Sequence, residues 1–403
     1  MAEEKLERAN FYGAEKIIAG RGGAAGGSGG GGMGITGGAY VSVEGGITTT
    51  NRWLRFDFDN PSHKALKILA GTTFSMGENI ISFDEDTSVN LSDYISEPGA
   101  DYYVFVNADK RVVCSTLRTQ PDGYMFIGQF HTLCADCNEN MTAIVSVGEV
   151  VKQVGDTVTL QNYFKERDLD FYNFYHKEIR AMNNGSYYNV ATVDHPLSGF
   201  KACDILPESV WCLNWHPVSK IWDGMVWCNS ANICVDIYLQ SGTGENTKSE
   251  YGAVHTVYRQ WQNHVDDFEQ VGKSLIYNYS MFSKISMGSN QCSLIYGGDQ
   301  TYVGGHSDTN GRRMISFIGV EECCGYLTQW GLILDESSAS APTITDGRGL
   351  FGYTQDVHEV RMYGGDYTSN YHMCGSRALN TSDTISVTVN SFTGRGVCDV
   401  TIV

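Results

Sequence analysis

The residues of this 403-residue chain best equipped for chemistry are its twelve cysteines and ten histidines. Cys134-Ala-Asp-Cys137 has the spacing of half a structural zinc site, but a closed tetrahedral shell needs four ligands and no second pair follows at zinc-finger spacing. Cys323 and Cys324 are neighbours, a placement that disulfide geometry disfavours as a bridge. Most of the thiols therefore read as small buried hydrophobes. His255 and His264 lie nine residues apart, which does not set two imidazoles on one helical face. Gly304-Gly-His306-Ser-Asp308 puts an imidazole and a carboxylate in a loop, without the strained G-x-S-x-G elbow that would present a serine nucleophile. Asp335, Glu336 and Asp346 offer oxygens to a structural calcium ion, again without EF-hand spacing. The expectation is a protein with no catalytic residues, no metal centre and no cofactor beyond such a calcium.

Bulk composition narrows the partners. A formal charge of −18 excludes nucleic acid, because affinity for a phosphate backbone is dominated by lysine and arginine. No run of 18 apolar residues predicts a membrane span. The first twenty residues carry Glu3, Glu4, Lys5, Glu7 and Arg8 and lack the apolar core of a secretory signal, so synthesis in a cytoplasm and exit by lysis are expected. Glycine (46) and tyrosine (23) are abundant while charged residues make up only 18%, a balance that suits a β-rich, loop-rich chain.

The elements follow from periodicity. Residues 1–59 read as a short charged anchor and a tether, since fourteen of the 46 glycines fall between Gly20 and Gly46. That run lacks the preceding strand and the Lys-Ser/Thr of a phosphate loop. Residues 60–135 predict a β-sandwich. Trp53–Phe58 leads in, and Tyr102–Val106, Arg111–Cys114 and Met125–Gly128 are short aromatic or β-branched runs, separated by turns such as Pro121-Asp-Gly123. Residues 136–200 form a connection in which 165–180 has helical character. From 201 to 403 six of the seven tryptophans gather. Val210–Trp215 and Ile233–Leu239 read as strands, Val257, Trp261, His264, Phe268 and Val271 as one face of a helix, and 277–286 as a second helix. The fold class expected is mainly β, with an α+β C-terminal domain.

Several motifs resemble the major tropism determinant family, variable proteins diversified by retroelements that serve as phage receptor-binding tail proteins. Ala70-Gly-Thr-Thr, Asp101–Asp109 and Gly128-Gln-Phe-His131 resemble its β-sandwich. Val235–Leu239, Gly272-Lys-Ser-Leu and Gly325-Tyr-Leu-Thr-Gln-Trp-Gly331 resemble its C-type lectin domain of the formylglycine-generating-enzyme type. Tyr363-Gly364-Gly365, Gly375-Ser-Arg377-Ala378 and Gly394-Arg395-Gly-Val-Cys-Asp399 come in the family's order, with one residue inserted between Gly365 and Gly375. The likeness runs from about residue 70 to 403 and leaves the start uncovered. It implies a homotrimeric virion component whose C-terminal surface binds a bacterial cell-surface receptor, protein or glycan, and whose N terminus meets other virion proteins. Gly364, Gly365, Gly375, Arg377, Arg395 and Trp330 are implied as scaffold.

The resemblance has a consequence that residue types can carry. Adenine randomisation of AAC codons yields NNY codons, which never encode Lys, Glu, Gln, Met or Trp. Between Asp366 and Thr393 there is no Lys, Glu, Gln or Trp, and one Met, Met373, as a fixed position. The variable, ligand-binding positions implied are Asp366, Tyr367, Ser369, Asn370, Tyr371 and His372, then Asn380, Ser382, Asp383, Val387, Val389 and Ser391. Tyrosine gives contact area with few torsions to freeze, and Ser and Asn give adaptable hydrogen bonds. Two other readings stay open: a virion decoration protein with no receptor, and an oxidase of the formylglycine-generating type that would use Cys374 and Cys398.

Overall fold

The structure, a computed structural model, describes residues 41–43, 52–154, 157–158, 176–181, 186–289, 303–305, 308–309, 312–335, 344–345, 350–351, 359–369, 374–376, 378–380, 383 and 385–402. Strands dominate throughout. Asp101–Asn107 is buried from Tyr102 through Val106, so the aromatic and β-branched run that predicts a strand is covered on both faces. It pairs antiparallel with Val112–Ser115 and with Tyr124–His131. The turn at Asn107 forms because its side-chain oxygen accepts from the amides of Asp109 and Arg111, with Lys110 left-handed at φ 63°.

These strands do not close into a domain of their own. Trp211–Cys212, Trp215–Pro217 and the final strand Val400–Ile402 extend the same sheet to six strands. One apolar cluster runs from Trp53 and Leu66 through Trp211 and Trp215 to Cys398. A boundary at 135 or 201 would cut through both this sheet and this core, because chain segments far apart in sequence complete each other's hydrogen bonding. The two three-stranded sheets before it, Leu54–Phe56 with Ala65–Ile68 and Thr87–Asn90, and Val41–Val43 with Thr72–Met76 and Asn79–Phe83, are antiparallel.

The connection differs from expectation too. Thr142–Val154, Ser186–Asp194 and His176–Ala181 pair antiparallel, so residues 176–180 form a strand rather than the end of a helix. Cross-strand pairing overrides a weak helical pattern there. The rest of the predicted helix, 165–175, lies outside the described residues.

In the C-terminal half two four-stranded sheets meet. One has the order Met225–Cys228, Ile233–Asp236, Gly396–Cys398, Ser274–Leu275, and the other Leu379–Asn380, Glu359–Tyr363, Thr328–Asp335, Phe392–Thr393. The stretch read as one strand, 210–215, is a tight hairpin of two. Helix α1 (Trp261–Gln270) buries Trp261, His264, Val265 and Phe268, an i, i+3, i+4, i+7 stripe. It stops at Gly272, whose φ of 74° lets the Lys273 amide reach the Phe268 carbonyl at 2.9 Å. Helix α2 (Tyr279–Ile285) starts where Asn278 accepts from the Met281 amide at 2.9 Å, a side-chain N-cap. Among the described residues no helix is long and apolar enough to cross a membrane.

Candidate functional site

The stretch 364–391 is held at both ends by one sheet. Its inner strands pair as Trp330↔Met362 and Gln329↔Tyr363, with an irregularity between Trp330 and Leu334. The chain leaves at Tyr363, returns as the edge strand Leu379–Asn380 with Asn380 opposite Met362, leaves again, and re-enters at the other edge with Phe392 parallel to Thr328. Two loops thus spring from a single sheet. Beneath them Trp330 meets Phe392 edge-on at 4.8 Å, in a cluster with Val265, Phe268 and Met362. The Trp261 indole donates to the Gly331 carbonyl at 2.7 Å, tying α1 to the sheet. Phe282 of α2 stacks on Tyr363 at 5.0 Å.

Two residues explain why the loops start where they do. Gly364 has φ 86°, and a β-carbon on it would lie 2.3 Å from the Cys323 carbonyl oxygen. Its own carbonyl accepts from the Gly325 amide at 3.0 Å and the Gly375 amide at 3.2 Å. No L side chain fits that position. Arg395 is completely buried and acts as a peg between the sheets. It donates to Gln329 Oε1 at 2.7 Å, to the carbonyls of Asp236 (2.9 Å) and Ile237 (2.8 Å), and to that of Glu321 at 2.7 Å. The adjacent Gly396 amide and the Lys273 ammonium, 3.1 and 2.6 Å away, hold the buried Asp236 carboxylate.

Over this frame lies a small, open hollow of about 100 Å³. Thr328, Met362 and Phe392 of the sheet line it together with Asp366, Ser369, Asn380 and Asp383 of the predicted positions. Asn380, Asp383 and Ser369 are half-buried.

The individual positions divide. Asp366 is buried, and its Oδ1 accepts from the Thr368 amide (2.9 Å), the Thr368 hydroxyl (2.7 Å) and the Ser369 hydroxyl (2.8 Å). It lines the hollow but serves as a turn-former, because a short carboxylate can satisfy loop amides locally. Tyr367 is half-buried against the Leu239, Met314 and Tyr326 cluster, and its hydroxyl accepts from Asn390 Nδ2 at 2.9 Å. Val387 and Val389 pack toward the Trp330–Phe392 cluster rather than standing free, and Ser391 is half-buried. Asn370, Tyr371, His372, Ser382 and Arg377 lie outside the described residues.

Residues that the sequence reading passed over do face solvent: Thr368, Ser386, Thr388 and Asn390 are exposed. The signal was present in Ser386-Val-Thr-Val-Asn390, a strict polar–apolar alternation that turns the valines inward and their neighbours outward.

The groups weighed for chemistry take structural roles. Burial holds His255 down to about 4 and His264 down to about 3, and His264 Nδ1 donates to Gln240 Oε1 at 2.5 Å. Burial pushes the thiols of Cys137 and Cys323 up to about 12, the opposite of an activated thiolate. Cys134 is buried against Glu321, 3.2 Å away. Burial would raise Cys398 as well, but the thiol of Cys234 opposite it and the Lys273 ammonium hold it below its usual value. Cys374 instead donates to the Asp366 carbonyl at 3.5 Å. Asp308 accepts from the Met314 amide at 3.1 Å, and His306 lies outside the described residues, as do Glu336 and Asp346. Among the described residues no three His, Cys, Asp or Glu side chains cluster as a metal site would require. The arrangement is that of two loop segments carried on a hydrogen-bonded, buried frame.

No family model and no curated protein matches the sequence. Solved structures do. The chain is 19% identical to the Major Tropism Determinant U1 Variant, with a TM-score of 0.58 over 85% of this chain and 83% of that one. Against the I1 Variant the identity is 18% and the TM-score 0.60, and against the P3c Variant 20% and 0.59, each over 89% of this chain and 86% of the other. At so low an identity, and with near full-length coverage on both sides, this chain has the mainly β fold of the Major Tropism Determinant variants.

Proposed function

We propose that this chain is a phage host-tropism protein that binds a bacterial cell-surface receptor through the two loops of residues 364–391. One observation carries the reading: polar residues from the two loops, Ser369 and Asp383, and from the edge strand between them, Asn380, converge on one hollow. Below them Gly364 and Arg395 take their conformation from buried partners alone. Such a division between a buried frame and a half-buried rim lets side chains change without loss of fold. In this reading the C-terminal half is a C-type-lectin-like domain, the protein is a homotrimer in the virion, and its glycine-rich start joins other virion proteins. Clustering three weak sites would raise avidity through effective concentration without any new contact.

Adsorption to host cells tests the reading. Replacing Asn380, Asp383 and Asn390 together with alanine should abolish adsorption by the purified protein and leave its melting temperature within about 4 °C, the effect of about 1 kcal/mol. Coincident loss of folding would assign these residues to the frame. Wild-type protein that ignores cells and coats virions would mark a decoration protein, while copper binding through Cys374 or Cys398 would mark an oxidase. In the encoding DNA, a near-copy of codons 366–393 with adenines at the variable positions, beside a reverse transcriptase, would support diversification.

A further inference from the structure

The loop before α1 runs antiparallel along the last part of the predicted binding segment. The Thr393 hydroxyl donates to the Thr256 carbonyl at 2.8 Å, the Tyr258 amide to the Val389 carbonyl at 3.0 Å, and the Trp261 amide to the Ile385 carbonyl at 3.2 Å. Tyr258 is thereby fixed beside the Thr388–Asn390 rim. Its side chain is 64% exposed, and among the described residues its hydroxyl has no hydrogen bond and its ring no aromatic or cationic partner. Its φ is 57°, a left-handed conformation that an aromatic residue rarely adopts and that glycine or asparagine would adopt more readily. Neither backbone preference nor packing accounts for a tyrosine here. A strained backbone presenting an unburied ring is a pattern found at ligand clamps.

We propose that Tyr258 is a constant aromatic anchor of the receptor-binding face and that it seats in an apolar recess of a protein receptor. The proposal rests on the binding-face reading above. Tyr258 lies more than a hundred residues before the 366–393 stretch, outside the segment with the restricted residue set, so it stays while the rim residues change. Exposed tyrosines of this kind supply a large share of interface energy from a rigid body with two torsions. Ile385, 39% exposed, lies further along the same pairing, its carbonyl on the Trp261 amide, and adds apolar surface to this face. A ring face stacks on a sugar as readily as on protein, but the exposed aliphatic side chain of Ile385 offers a hydroxyl-rich glycan no hydrogen bond and matches the apolar surface of a protein.

Adsorption of the full-length protein to sensitive cells, read together with melting temperature and oligomeric state, tests the anchor. Tyr258→Gly removes the ring and relieves the left-handed strain, so it should keep or raise the melting temperature while weakening adsorption at least about tenfold. Tyr258→Phe should bind within about threefold of the parent, since the ring and not the hydroxyl carries the contact. Phe58→Ser, which removes an equally exposed ring (75%) far from 366–393 in sequence, should change nothing. Protease treatment of the cells should abolish adsorption and periodate should not. Unchanged adsorption by Tyr258→Gly, a shift in its oligomeric state, or sensitivity to periodate alone would overturn the proposal. Asn380→Ala with Asp383→Ala is run in parallel. If that pair also adsorbs normally the binding-face reading itself fails, and if only Tyr258→Gly adsorbs normally the anchor alone fails.

Discussion

Arg395 and Asp366 show that a charged side chain can serve the frame as well as the surface. Buried arginine is costly unless every donor is met, and Arg395 meets its donors with backbone carbonyls from two segments more than seventy residues away. Arg395→Met should therefore destabilise the fold by about 3–5 kcal/mol, read by chemical denaturation, because it strands those carbonyls. Gly364→Ala meets both a left-handed φ and the Cys323 carbonyl, and should cost more than about 2 kcal/mol in the same measurement. A scaffold role for the glycines and Arg395 was implied only by the resemblance of their motifs to the family. That of Asp366 was not implied, because its role depends on the hydroxyls of Thr368 and Ser369 folding back onto it, and nothing in the residue type distinguishes a carboxylate that caps a turn from one that meets a ligand.

Among the elements, helix α1 was readable because its apolar residues recur at helical spacing and Gly272 closes it. The 386–390 run carried an equally clear period of two, and its consequence is testable. Val389→Asp should lower the melting temperature by well over 5 °C, since it sets a charge against the Trp330–Phe392 cluster, whereas Thr388→Asp should leave it within about 2 °C. Equal effects would mean that the alternation does not govern the run. The strand at 176–181 went unread for the converse reason: its own sequence favours no state strongly, and pairing with Ser186–Asp194 decides it.

Across the whole molecule, titration of buried histidines couples stability to acidity. Burial lowers His195 to about 4, His255 to about 4 and His264 to about 3 from an ordinary 6.5. The unfolded chain takes up protons at these imidazoles before the folded one does, so their contribution is present in full above about 6.5 and is lost progressively as pH falls toward 4. Burial raises the carboxyls of Asp223 and Asp236, which opposes the effect by favouring the folded state in acid. The melting temperature should fall between pH 7 and pH 5, and His264→Gln should flatten that fall; a profile that rises toward acid would show that the carboxyls dominate. The sequence by itself determined the mainly β character, the net negative charge, the two helices and the glycine-punctuated segment near the C terminus. Those properties are local: composition, periodicity and turn chemistry act within a few residues. Tertiary structure alone decided that Val400–Ile402 completes a sheet begun at Asp101 and that Tyr258 stands beside Val389. These depend on backbone groups pairing across hundreds of residues, where the partner is chosen by the free energy of the assembled core.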